Sequence, residues 1–148
     1  MKTIIAVDPG VSGGIAVLND ELVELHKMPE TLTEIYRLLA DNKTNGAQLW
    51  IEEIPKFTGR NIPSSVTAVL FQNFGRIEGI AVSTGYVLNR VRPVDWQAPL
   101  GLGGAKSCGS SSEWKRKLKN KAQELYPHLD VTLKTSDALL ILDYAKKQ

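Results

Sequence analysis

The 148-residue sequence has a single cysteine, Cys108, and only two histidines, His26 and His128, which stand far apart. One cysteine excludes an internal disulfide, and the missing Cys/His cluster excludes a structural zinc site. A chain without disulfides fits a reducing interior, so a cytoplasmic setting is expected. Long apolar runs are also lacking. None approaches the roughly 20 residues needed to cross a bilayer. The apolar stretch nearest the N-terminus, residues 4–7, stops at Asp8 and does not read as a signal peptide. Charge of one sign is in short supply: the formal net charge is +2, which by itself does not announce a nucleic-acid binder.

What is present is an ordinary globular composition, 43% hydrophobic and 23% charged. The length predicts one domain over residues 1–148 with a core of its own. No internal repeat is visible. Residues 3–7 form a short apolar run rich in isoleucine and valine, as a buried strand requires. Pro9-Gly10 breaks it. Residues 14–18 predict a second strand, and Asn19-Asp20 a tight turn into a third over 22–28. Thr31 and Glu34 have the spacing of a capping box, followed by the stripe Leu32, Ile35, Leu38 and Leu39. Residues 48–54 predict a fourth strand, 65–83 a long helix, and 87–92 a fifth strand ended by Pro93. Residues 99–112 are rich in Gly and Ser and are expected to be mobile. Helices follow over 113–126 and 137–146, the latter with Ser136 as its N-cap. A hairpin start followed by alternating units predicts an α/β fold: a mixed sheet with helices on its faces. Gly75 and Gly79 lie four apart on the long helix and fit either tight packing on the sheet or a contact with a second copy.

Three acidic features stand out. Asp8 ends a buried strand, where a carboxylate needs solvent, a partner or a metal, or else caps its own turn. Glu52 and Glu53 interrupt the apolar fourth strand, and alternation sends them to opposite faces. Asp137 falls in the first turn of the last helix, where an acid also complements the helix dipole. If the strands are neighbours, these acids converge. A cluster of oxygen ligands repels itself unless hard cations, Mg²⁺ or Mn²⁺, neutralise it. Two such ions support phosphodiester cleavage.

Basic residues crowd one stretch. Lys115, Arg116 and Lys119 lie away from the apolar side of their helix and fit either a DNA-backbone surface or a solvated face. In the loop 55–65, which should border the acidic cleft, Lys56 and Arg60 are candidate phosphate ligands, and Phe57 either stacks on a base or anchors the loop. The segment GLGGAKSCGSS fails as a phosphate loop, because Ala105 precedes Lys106 and the spacing is absent. Cys108 has no catalytic histidine partner in view, and neither histidine is assigned a role.

At these residues the sequence resembles the RuvC-like Holliday junction resolvases. The segments that carry the resemblance are IIAVDPGVSGGIAVL, LWIEEIP, VRPVDWQAPLGL, SEWKRKLKNKAQELYP and SDALLILDYAKK, in that order and over nearly the whole chain. The resemblance implies a ribonuclease H-like fold with a five-stranded mixed sheet whose first three strands are antiparallel. It implies that Asp8, Glu52 and Asp137 bind two Mg²⁺ or Mn²⁺ ions and carry catalysis, with Glu53 facing outward. It implies a homodimer acting on four-way DNA junctions, without an organic cofactor, leaving 5′-phosphate and 3′-hydroxyl ends. The family usually has a fourth ligand, Asp or His, three residues before the last aspartate; here that position is Lys134, which cannot ligate a metal, so either the second ion is held by fewer protein groups, or the lysine neutralises a DNA phosphate, or the enzyme is impaired. The family's aromatic that opens the junction falls at Pro55, with Phe57 two residues on. The rival expectations are a branched-DNA-binding protein weakened as a nuclease and a nuclease for flaps, forks or RNA–DNA hybrids. An ATP-binding relative of sugar kinases is discounted for want of a second lobe.

Overall fold

A computed structural model describes residues 2–55 and 62–148. Five strands form one sheet: β1 (Thr3–Val7), β2 (Gly14–Asn19), β3 (Leu22–Lys27), β4 (Gln48–Glu52) and β5 (Val87–Val91), in the order β3-β2-β1-β4-β5. β1, β2 and β3 pair antiparallel, while β1–β4 and β4–β5 are parallel. Among the described residues the helices are α1 (Leu32–Asp41), α2 (Ser64–Ser83), α3 (Pro93–Gln97), α4 (Ser111–Leu125) and α5 (Ser136–Ala145).

The pleat of β1 explains the layering. Successive side chains of a strand point to opposite faces. Ile4 and Ala6 therefore join the core beneath α4 and α5, with Leu118, Leu139 and Ile141. Ile5 and Val7 join the other core, beneath α1 and α2, with Ile35, Leu39 and Ile77. All five residues of β1 are buried because helices cover both faces. In α5 the run Ala138 to Leu142 is buried without a polar interruption, as expected of a helix enclosed on all sides. It packs on β1, β2 and β4 and against α4.

The turns behave as their chemistry requires. Asp20 takes a left-handed conformation (φ 53°) in the β2–β3 turn and accepts a hydrogen bond from the Lys2 amide at 2.8 Å. Thr31 and Glu34 form the reciprocal capping box, with bonds of 3.2 and 2.9 Å.

Four expectations are corrected. Ser136 is the first residue of α5, and Thr135 is the N-cap; the Thr135 hydroxyl instead accepts a bond from the Thr132 amide at 3.1 Å. The Gly/Ser-rich stretch is anchored: it carries two 3₁₀ turns, Ala98–Leu100 and Ala105–Ser107, and Leu100, Leu102 and Cys108 pack against the core. The strand predicted to reach residue 54 ends at Glu52. Gly75 and Gly79 do not seat α2 on the sheet, since a Cβ at either would meet nothing within 4 Å. No described helix is long and apolar enough to cross a membrane.

Candidate active site

Register brings the first two acids together. β1 and β4 run parallel with Val7 opposite Ile51. The next residues along, Asp8 and Glu52, thus leave the sheet side by side at its carboxyl edge. In open α/β sheets that edge is where ligands bind. Alternation fixes the face. Asp8 has the parity of Ile4 and Ala6, and Glu52 that of Trp50, all on the α5 side. α5 begins over the same edge and supplies Asp137 in its first turn.

The loop after β1 is shaped around Asp8. Asp8 Oδ1 accepts a hydrogen bond from the Gly10 amide at 3.2 Å. The turn-capping reading of Asp8 is therefore correct for one oxygen, while the residue also lines the cleft. A Cβ on Gly13 would lie 2.4 Å from the Asp8 carbonyl oxygen and 2.7 Å from its Cγ, so only glycine lets the loop fold back over the carboxylate. The Asn73 side-chain amide of α2 holds the loop from outside through the Pro9 carbonyl at 2.7 Å.

Glu52 is held by a residue that sequence reasoning missed. The buried Trp96 of α3 donates its indole N–H to Glu52 Oε2 at 2.7 Å. An indole N–H is a donor only, so this contact orients the carboxylate and favours its charged form. The sequence offered one signal, a tryptophan inside the VRPVDWQ segment, but nothing in spacing ties it to Glu52. Glu53 lies on the rim. Its amide bonds to the Val91 carbonyl at 2.8 Å, and its charge acts on Arg90 and Arg92.

The cation at the site is Lys115 of α4, whose Nζ stands 3.9 Å from Asp137 Oδ2. Its side chain is 57% exposed against 13% for Asp137, so the pair is a lysine reaching from solvent to a recessed acid. Lys115 lines the cleft with Asp8, Ser12, Glu52 and Pro55. Lys134 does not: its backbone is wedged against the sheet, where a Cβ on Gly14 would lie 2.6 Å from the Lys134 carbonyl, and it lines a neighbouring basin with Lys119. Arg116 is exposed on α4. Lys56, Phe57 and Arg60 lie outside the described residues.

Electrostatics couples the three acids. Burial pushes Glu52 up to about 8, and the charges of Asp8 and Asp137 add to the rise, against the Trp96 bond and Lys115. Asp137 is pushed up to about 6, first by burial and then by Asp8, with Lys115 and Ser136 opposing. Asp8 is raised by burial, against the Gly10 amide and Lys115. The acids do not close into a cage: among the described residues no three His, Cys, Asp or Glu side chains gather as a ready metal cluster. Like charges repel, and each acid keeps a partner of its own, Gly10, Trp96 or Lys115. The donor set nevertheless fits a hard cation. It is all oxygen, partly withdrawn from water, and balanced at short range by one lysine against three acids.

No protein-family model and no curated relative matches the sequence. Solved structures do match. A Thermus thermophilus RuvC structure superposes with a TM-score of 0.63 at 14% identity, over 98% of this chain and 95% of that one. T. thermophilus RuvC in complex with a Holliday junction substrate gives a TM-score of 0.63 at 12% identity, over 99% and 96% of the two chains. With its strand order and flanking helices, the chain has the RuvC-like form of the ribonuclease H fold.

Proposed function

We propose that the protein is a divalent-metal-dependent endonuclease that resolves four-way DNA junctions. The observation that carries this reading is the placement of Asp8, Glu52 and Asp137 at one sheet edge, each raised by burial, with mutual repulsion adding for Glu52 and Asp137. Such a site is poised to take up cations. The fold likeness to a RuvC in complex with a Holliday junction substrate supports the choice of substrate class. Asp8, Glu52 and Asp137 would hold one or two Mg²⁺ or Mn²⁺ ions. When bound, the ions neutralise the acids, polarise a water and stabilise the leaving oxygen.

The chain's own groups do the rest. Trp96 fixes the orientation of Glu52, as a neighbour of a ligand should. Glu52 would give up its proton as the site fills, because an added positive charge offsets the burial that chiefly raised it and the repulsion from Asp8 and Asp137. Lys115, largely exposed at the cleft beside Asp137, is placed to meet a phosphate oxygen there.

Symmetric cutting needs two copies. The outward face of α2 presents Ala68, Phe71, Gly75, Gly79 and Val82 as one exposed stripe, with Phe71 41% and Val82 62% exposed. A two-fold pairing across this stripe would cover it and match the symmetry of a junction. Phe71→Glu should then give monomers in analytical ultracentrifugation; a dimer untouched by that change removes this surface.

The function is tested by offering labelled four-way junctions, forks, flaps and RNA–DNA hybrids with Mg²⁺ or Mn²⁺. Paired nicks in the junction, lost in Asp8→Asn, are expected. A preference for another substrate refutes the junction assignment. Junction binding without nicking supports the rival binding protein.

A further inference from the structure

Beside the acidic cleft lies an open basin of about 800 Å³ between the end of β3, residues 130–135 and α4. Lys27, Lys119 and Lys134 line it against a single acid, Asp130. None of the three ammonium groups makes a hydrogen bond or ion pair among the described residues. Their neighbours elsewhere are otherwise engaged: Lys117 donates to the Leu102 carbonyl at 2.9 Å, and Lys121 pairs with Glu124 at 3.1 Å. Three free ammonium groups around one concavity repel one another, and a polyanion relieves that repulsion.

The fold places these lysines by backbone constraint. Lys27 pairs with Gly14 at the end of β3. Gly14 has no Cβ, and this lets the Lys134–Thr135 backbone press onto the sheet there; a Cβ would meet the Lys134 carbonyl at 2.6 Å and the His26 carbonyl at 2.8 Å. Lys134 lines the basin with Lys27 and not the cleft. α4 joins the two sites. Lys115 lines the cleft, and Lys119, four residues on, lines the basin. Side chains at that spacing lie about 5–6 Å apart on one helix face, which suits charges following a strand of phosphates.

We propose that this basin is a separate phosphodiester-backbone site, holding the DNA that leaves the cleft on the β3 side through Lys27, Lys119 and Lys134. It rests on the nuclease reading above. The ligand is the backbone, not the bases. Lysines are point charges suited to phosphate, whereas the basin lacks the Arg, Asn or Gln forks that read base edges. Lys134 thus serves grip on the substrate in place of ligation of a metal.

Counterion release makes this measurable. Each phosphate contact adds about 0.9 to the slope of log affinity against log salt on duplex DNA. Binding of a labelled four-way junction is measured in EDTA over a range of salt concentrations. The wild type is compared with Lys27→Ala/Lys119→Ala/Lys134→Ala and with the matching triple Arg variant. The alanine variant is expected to bind tens-fold more weakly at low salt, with a slope smaller by about 2–3, and the arginine variant to keep the wild-type slope. An alanine variant with unchanged slope, beside a wild type that binds and cuts junctions, overturns the basin alone. A wild type that neither binds nor cuts junctions overturns the basin together with the nuclease reading.

Discussion

The cleft and the basin share a helix and oppose each other in every electrostatic respect. In the cleft, acids are drawn out of water and answered by one lysine, so ionising them is costly and a cation is welcome. In the basin, the lysine ammonium groups have no partner among the described residues, so their charge acts at a distance that salt shortens. Burial therefore divides the work. The recessed carboxylates should govern chemistry with large, all-or-none effects, and the solvated lysines should govern affinity with small, graded, salt-dependent ones.

The largest expected effect lies in the cleft. Asp8→Asn and Asp137→Asn should each lower junction cleavage by about 10³-fold or more in single-turnover assays, while junction binding in EDTA stays within a few-fold. A variant that cuts at the wild-type rate removes that residue from the site and breaks the contrast with the basin.

Glu52→Gln sharpens it through stability. A group whose folded pKa is raised contributes stability that is full below its ordinary value and is lost as pH rises through the folded one. For Glu52 that window runs from 4.5 to about 8. Metal-free wild type should weaken across this range, and Glu52→Gln should weaken less, gaining on the order of 1–3 kcal/mol near pH 8 in urea unfolding. A variant less stable than wild type at that pH would show that the charge is better compensated than the geometry indicates.

Trp96→Phe keeps most of the buried ring and removes the donor to Glu52. It should weaken Mn²⁺ binding by about 10–100-fold. Unchanged affinity would reduce Trp96 to a packing role.

Much of the frame was legible because it follows from short-range rules. The apolar run of β1, the Asn19-Asp20 turn and the Thr31–Glu34 box each announce themselves within a few residues. Alternation separated Glu52 from Glu53 and the resemblance picked Glu52; the β1–β4 register is what puts Glu52 on the side of Asp8. The opaque features depend on distant approach. α3 has five residues, too few for a periodic signal, and its Trp96 meets Glu52 across 44 positions. Lys115 was legible as a basic helix residue, but its approach to Asp137 depends on how α4 lies against α5. The close approach of the Lys134–Thr135 backbone to the sheet hangs on the missing side chain of Gly14, which no spacing reveals. The outward Gly75 and Gly79 show the same limit, since a small residue fits a tight contact and an open surface equally well.

Calorimetric titration of Mn²⁺ at pH 7, in buffers of different ionisation enthalpy, tests most directly whether the three acids act as one cation site. Wild type should bind and release protons, because Glu52 is largely protonated before loading, and Asp8→Asn and Glu52→Gln should bind far more weakly, the latter with little proton release. Equal binding in all three proteins, or no binding in the wild type, would contradict the site.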